Sequence, residues 1–195
     1  HSGNANHGTV NGATWVCNDM DLCGECSGDN SSCIIISDID ENQYGTVQIG
    51  DQLWMKQNLK ATHYNNGDAI PNIIDNNEWS SLTSGAYADY NNNPSNSEVY
   101  GRLYNWYTVS DERGICPVDF HISSDDEYKE LEMYLGLSQE EANAQSWRGT
   151  DEGGKMKDIG AEHWNSPNTG ATNSSGFSAL AGGYRNYTSA FMPKG

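Results

Sequence analysis

The sequence predicts an α+β domain with a small, twisted antiparallel sheet, short helices and abundant loop. Three observations predict it. Residues 44–55, "YGTVQIGDQLWM", alternate around Gly50-Asp51 in the manner of a hairpin. Ser124 precedes Glu127 at the spacing of a capping box, and Gly136 stands where the helix it starts would end. Asn and Gly crowd the segments between apolar clusters, which suits a chain with many turns and left-handed residues.

In chain order, residues 1–16, "HSGNANHGTVNGATWV", read as a polar extended arm with a weak alternation of Val10, Ala13, Trp15 and Val16. Residues 17–35 form a cysteine-rich segment with few core-forming side chains, so cross-links or a metal must order it. Residues 36–195 make up the main domain, which the β-branched run "IIISDID" (34–40) leads into. Within it, 77–82 and 100–109 read as short helices, the second with Leu103, Trp106 and Tyr107 on one face. The clearest helix is 125–135, burying Tyr128, Leu131 and Leu135. A second capping box, Ser138 with Glu141, opens a helix that carries Ala142 and ends near Trp147. Beyond residue 150 the chain reads as loop with isolated aromatics.

Five segments together carry a family resemblance: "GTVQIGDQLWMKQNL" (45–59), "YGRLYNWYTV" (100–109), "CPVDFHISSDDEY" (116–128), "WRGTDEGGKMK" (147–157) and "HWNSPNTGATNSSGFSALAGGYR" (163–185). Over about residues 38–191 the chain resembles the Fibrobacter succinogenes major paralogous domain family. The resemblance implies a secreted or surface-bound protein whose domain is similar to formylglycine-generating enzymes and C-type lectins. It also implies further chain after "GGYR", including a strand that completes the sheet, so the domain is expected to be incomplete at its C-terminal side. In the resembled family the position of Cys116 often pairs with a cysteine that here is Ala88, so that bridge is expected to be lost. The copper-binding cysteines of the formylglycine-generating relatives have no counterpart, because no cysteine follows Cys116. "CGECSGDNSSC" (23–33) is similar to the short knots at spacer boundaries of adamalysin-thrombospondin proteases and in bacterial surface-protein linkers.

Charge narrows the partners. Lys and Arg number 10 against 27 Asp and Glu, a net charge of -17, which repels nucleic acid and anionic membranes. No apolar run approaches the roughly 20 residues of a membrane span. The first residues lack the basic and apolar regions of a secretory signal, and His1 is no initiator, so such a leader is expected to be removed or to lie outside this chain.

Cys17, Cys23, Cys26 and Cys33 are expected to form two disulfides; zinc is the competing and less favoured reading, because a structural zinc site usually takes two CxxC or CxxH elements and only one is present. Four cysteines allow three pairings, and spacing does not choose among them. Cys116 is left over and is expected to be a buried, reduced thiol. Asp38, Asp40 and Asn42 place oxygens at alternate positions as calcium loops do; an ordinary hairpin turn competes. No resident cofactor is expected, and calcium at these three residues is the exception considered. Sequons at Asn30, Asn173 and Asn186 mark glycan acceptor candidates and surface loops. Tyr87, Tyr90 and Tyr187 are rings that could stack on sugars.

No catalytic set converges. His63, His121 and His163 are scattered, and no GxSxG, HExxH or phosphate-binding glycine loop appears. The expectation is a non-enzymatic extracellular or cell-surface protein, structural or adhesive, that self-associates or joins a neighbouring surface protein by strand or arm exchange. Val10, Trp15 and Val16 are the expected donor residues of the arm. A carbohydrate-binding module is the alternative.

Overall fold

The structure, a computed structural model, describes residues 9–10, 13–14 and 21–193. It is a mixed α+β fold with all named strands antiparallel. β1 (Thr9–Val10) and β2 (Ala13–Thr14) pair with each other. β3 (Ile35–Ser37), β4 (Gln43–Ile49) and β5 (Gln52–Met55) form the largest sheet, in that order. Two small ladders complete the inventory of strand pairs: β6 (Tyr87–Ala88) with β7 (Leu103–Tyr104), and β8 (Tyr184–Arg185) with β9 (Phe191–Met192). The single sheet expected of the main domain is therefore distributed over three separate ladders among the described residues, with β1–β2 lying apart from it in the arm.

Helices α1 (Asn76–Ser81), α2 (Pro94–Tyr100) and α3 (Trp106–Val109) lie between the hairpin and Cys116. Helices α4 (Asp125–Leu135), α5 (Gln139–Ala142) and α6 (Glu152–Met156) follow it. α4 has the expected bounds because both halves of its capping box are made: Glu127 N–H donates to Ser124 Oγ, and Ser124 N–H donates to Glu127 Oε2. Leu131 and Leu135 face Ile49, with Val47, Trp54, Met156 and Phe177 around them, and this joins the hairpin to α4. Tyr128 is 38% exposed, yet its ring meets Trp54 edge-on at 5.7 Å. The other core cluster gathers Tyr64, Ile70, Ile115 and Cys116. No helix among the described residues is long and apolar enough to cross a membrane.

Several expectations need correction. The segment 100–109 is not one helix. Gly101 at φ 71° ends α2, the chain then enters β7, and Asn105 caps a new turn by accepting from Thr108 N–H. Trp106 is 73% exposed as a result. α5 stops at Ala142 rather than near Trp147, which is fully outside the core. α6 occupies a stretch expected to be loop. The arm is not extended at Val10, since β1 pairs antiparallel with β2.

Residues 21–33 pack against the end of the β4–β5 hairpin. Lys56 Nζ donates to the Cys23 carbonyl at 2.5 Å and Gln57 Nε2 to the Leu22 carbonyl at 3.1 Å. A Cβ on Gly45 would sit 1.9 Å from Leu22 O, so the close approach of the two backbones requires glycine at that position. Elsewhere asparagine amides close the loops. Nδ2 of Asn58 donates to Tyr100 O at 2.9 Å, that of Asn65 to Cys116 O at 3.1 Å, and that of Asn105 to Ser84 O at 2.8 Å. Asn168 Nδ2 serves the carbonyls of both Asp158 and Gly160.

Candidate functional site

The hairpin register decides which backbone groups of β5 are free to bind. Lys56 N–H donates to Gly45 O at 2.9 Å, so by alternation Trp54 and Gln52 also turn their N–H and C=O toward β4. Leu53 and Met55 then point theirs outward, and β5 ends the strand order. "QLWM" contains no charge and no proline, the usual means of protecting an edge.

This edge borders a groove of about 560 Å³. Residues 52–55 and 57–59 line it from the hairpin side; residues 119–123, Glu127 and Cys116 line the rest. Leu53, Trp54, Met55, Leu59, Phe120 and Ile122 make it largely apolar. Gln52 ties its two sides, donating from Nε2 to Glu127 O at 3.1 Å and to Glu130 Oε2 at 3.2 Å. Asp119 and Glu127 bring negative charge, and no Lys or Arg lines it.

Cys116, His121 and Glu127 share this groove without forming a nucleophilic set. Burial alone pushes the Cys116 thiol up to about 11, the reverse of activation. His121 Nε2 lies 2.7 Å from Glu127 Oε1. The Ser124 backbone N–H, its hydroxyl and His121 together hold the Glu127 carboxyl down at about 2. His121 therefore supports a helix cap.

Of the expected disulfide residues, Cys23 and Cys33 are bonded with Cα atoms 5.5 Å apart, and Cys26 is disulfide-bonded as well. Cys17 lies outside the described residues, and Cys116 is free and buried. Asp38 organises a turn: its Oδ1 accepts from the N–H groups of Asp40 and Asn42, and Oδ2 accepts from Tyr44 OH at 2.5 Å. Asn42 Nδ2 donates to both oxygens of Asp38. Asp40 turns away to Thr62 and to His63 Nδ1 at 2.5 Å. Burial pushes the Asp40 carboxyl up, and Thr62 N–H with His63 more than offsets it, leaving it below the usual range. No group of three metal-binding side chains exists among the described residues.

The sequon asparagines are structural partners too. Asn30 Oδ1 accepts from Leu22 N–H, Asn173 Nδ2 donates to Ser178 Oγ, and Asn186 Oδ1 accepts from Ala190 N–H. Of the three tyrosines, Tyr187 is 89% exposed, Tyr87 packs on the Tyr64–Ile115 cluster, and Tyr90 is buried against Phe191. Val10 lies in β1; Trp15 and Val16 lie outside the described residues. Sequence reasoning missed the groove, although the uncharged "QLWM" was its available signal.

Comparison with curated proteins and with solved structures gives no match. The model of the Fibrobacter succinogenes major domain does match, over residues 47–195, which takes in β5, the groove and everything after it. The chain belongs to the Fibrobacter succinogenes major domain family.

Proposed function

We propose that this is a non-enzymatic structural or adhesive protein of the extracellular space or cell surface, which associates with other chains by strand addition. The observation that carries this reading is the uncharged outer edge of β5, with Leu53 and Met55 turned outward beside an apolar groove. Only another backbone offers donors and acceptors at the spacing this edge requires. The domain is read as C-type-lectin-like, similar to formylglycine-generating enzymes, with residues 17–35 as a separate cross-linked segment. The raised Cys116 thiol supports the non-enzymatic reading.

Static light scattering and electron microscopy of the intact chain test it. Concentration-dependent oligomers or filaments are expected; a monodisperse monomer at high concentration overturns the proposal. Carbohydrate binding is the second reading, favoured by the exposed rings of Trp106, Trp147 and Tyr187. Selective glycan-array binding by a monomer would establish it instead.

A further inference from the structure

We infer that the groove beside β5 receives the β1–β2 hairpin of a second copy, so that β2 pairs with β5 and the sheet continues from one chain into the next. This rests on the strand-addition reading and names its partner.

The hairpin is another element with an unused edge among the described residues. β1 and β2 form a two-stranded unit of their own. Such a unit is marginal in water unless a further strand or a packed face supports it. Val10 pairs with Ala13 and Thr9 with Thr14, and antiparallel pairs alternate, so with Val10 and Ala13 exchanging their hydrogen bonds the next pair does not. Thr14 then points its N–H and C=O away from β1, as Leu53 and Met55 point theirs away from β4. The two edges are complementary in kind.

Charge agrees with this pairing. Residues 1–16 contain no Asp, Glu, Lys or Arg, in a chain with 27 acidic residues. The groove carries Asp119 and Glu127. A neutral segment can lie there without the like-charge repulsion that most surfaces of this chain would meet. Neither β2 nor β5 has a charge or proline to discourage pairing.

Within one chain the hairpin does not join β5, since the two belong to separate ladders. A donor hairpin on one copy and an acceptor groove on the next are different surfaces, so the contact is heterologous and leaves both ends of a dimer open. Extension into a fibre or a ring follows.

Two proline variants of the intact chain test this. Thr14→Pro and Leu53→Pro each remove an outward N–H without taking a hydrogen bond from the hairpin that contains it. Each variant alone is expected to lower association at least tenfold by light scattering. Mixed in equal amounts they should form dimers and nothing larger, because one retains a working groove and the other a working hairpin. Recovery on mixing also shows that both variants fold.

Association of wild type that neither substitution changes would overturn this inference and leave strand addition standing by another route. Failure to recover dimers, with both variants keeping the wild-type near-ultraviolet circular dichroism, would overturn it too. So would a wild-type monomer whose Leu53 and Met55 amides are protected from hydrogen exchange only while residues 1–16 are present, since the hairpin would then occupy its own groove. A wild-type monomer with unprotected amides defeats the proposed function itself.

Discussion

Arg185 Nη1 donates to the carbonyl oxygen of Ile73 at 2.6 Å, across 112 residues of chain. Its other nitrogens reach the carbonyls of Ile74, Asp75 and Ser189 and the side chain of Asn76, and its guanidinium lies 4.4 Å from the centre of the Trp79 ring. One side chain thus ties the β8–β9 ladder to the start of α1. Arg185→Lys keeps the charge and loses the planar fork, so the carbonyls of the buried Ile73 and Ser189 lose their guanidinium donors. A loss of about 2 to 3 kcal/mol is expected in urea unfolding, with no change of far-ultraviolet spectrum.

Leu131 has no exposed surface and fills the space between α4 and the β4–β5 hairpin. Leu131→Ala should cost about 2 to 5 kcal/mol by the same measurement. The exposed Tyr134 on the same helix should tolerate alanine within about 0.5 kcal/mol, which distinguishes a core effect from a helix effect.

Glu127 gives a pH dependence with a definite sign. Its carboxyl is held at about 2 in the folded protein, first by the Ser124 backbone N–H, then by the Ser124 hydroxyl and His121. A folded value below the unfolded one means stability that is present above the ordinary glutamate range and is lost as pH falls toward 2. Glu127→Gln should flatten the stability curve between about pH 5 and pH 2, and leave its shape above pH 6 nearly unchanged. Melting temperatures across that range check it.

Thiol chemistry should separate Cys116 from the other cysteines. With its thiol raised to about 11, the native protein at pH 8 holds only about one thiolate in a thousand and should react slowly with an alkylating reagent. After unfolding without reductant, one thiol per chain is expected, and mass mapping should place the label on Cys116. Label on Cys23, Cys26 or Cys33 would contradict the disulfides.

What could be read from the sequence was what is settled locally. α4 was legible because Ser124, Glu127 and Gly136 specify its two ends and Leu131 and Leu135 its inner face, all within a few turns. Residues 100–109 mislead because Leu103, Trp106 and Tyr107 have a helical spacing, whereas Gly101 and Asn105 divide the segment. α2 also had its signal, Asn93 capping and Pro94 opening the first turn. α6 had none, since Gly153-Gly154 argues against a helix. Its carbonyls are claimed from outside, by the N–H groups of Thr172, Ser175 and Ala179. The groove escaped for a related reason, as Gln52 and Glu127 meet across 75 residues. Periodicity cannot report such a meeting.

The asparagine amides that close the loops also bound the working life of the molecule. Each donates from Nδ2 to a backbone carbonyl, as Asn58, Asn65, Asn105 and Asn168 do. Slow hydrolysis of such an amide replaces the donor with a carboxylate oxygen, which then faces the carbonyl with like partial charge. The same lesion adds a negative charge to a chain already at -17. Ageing in this protein should therefore open loops from the inside, and its record would be a drift toward more acidic forms that precedes any loss of helix.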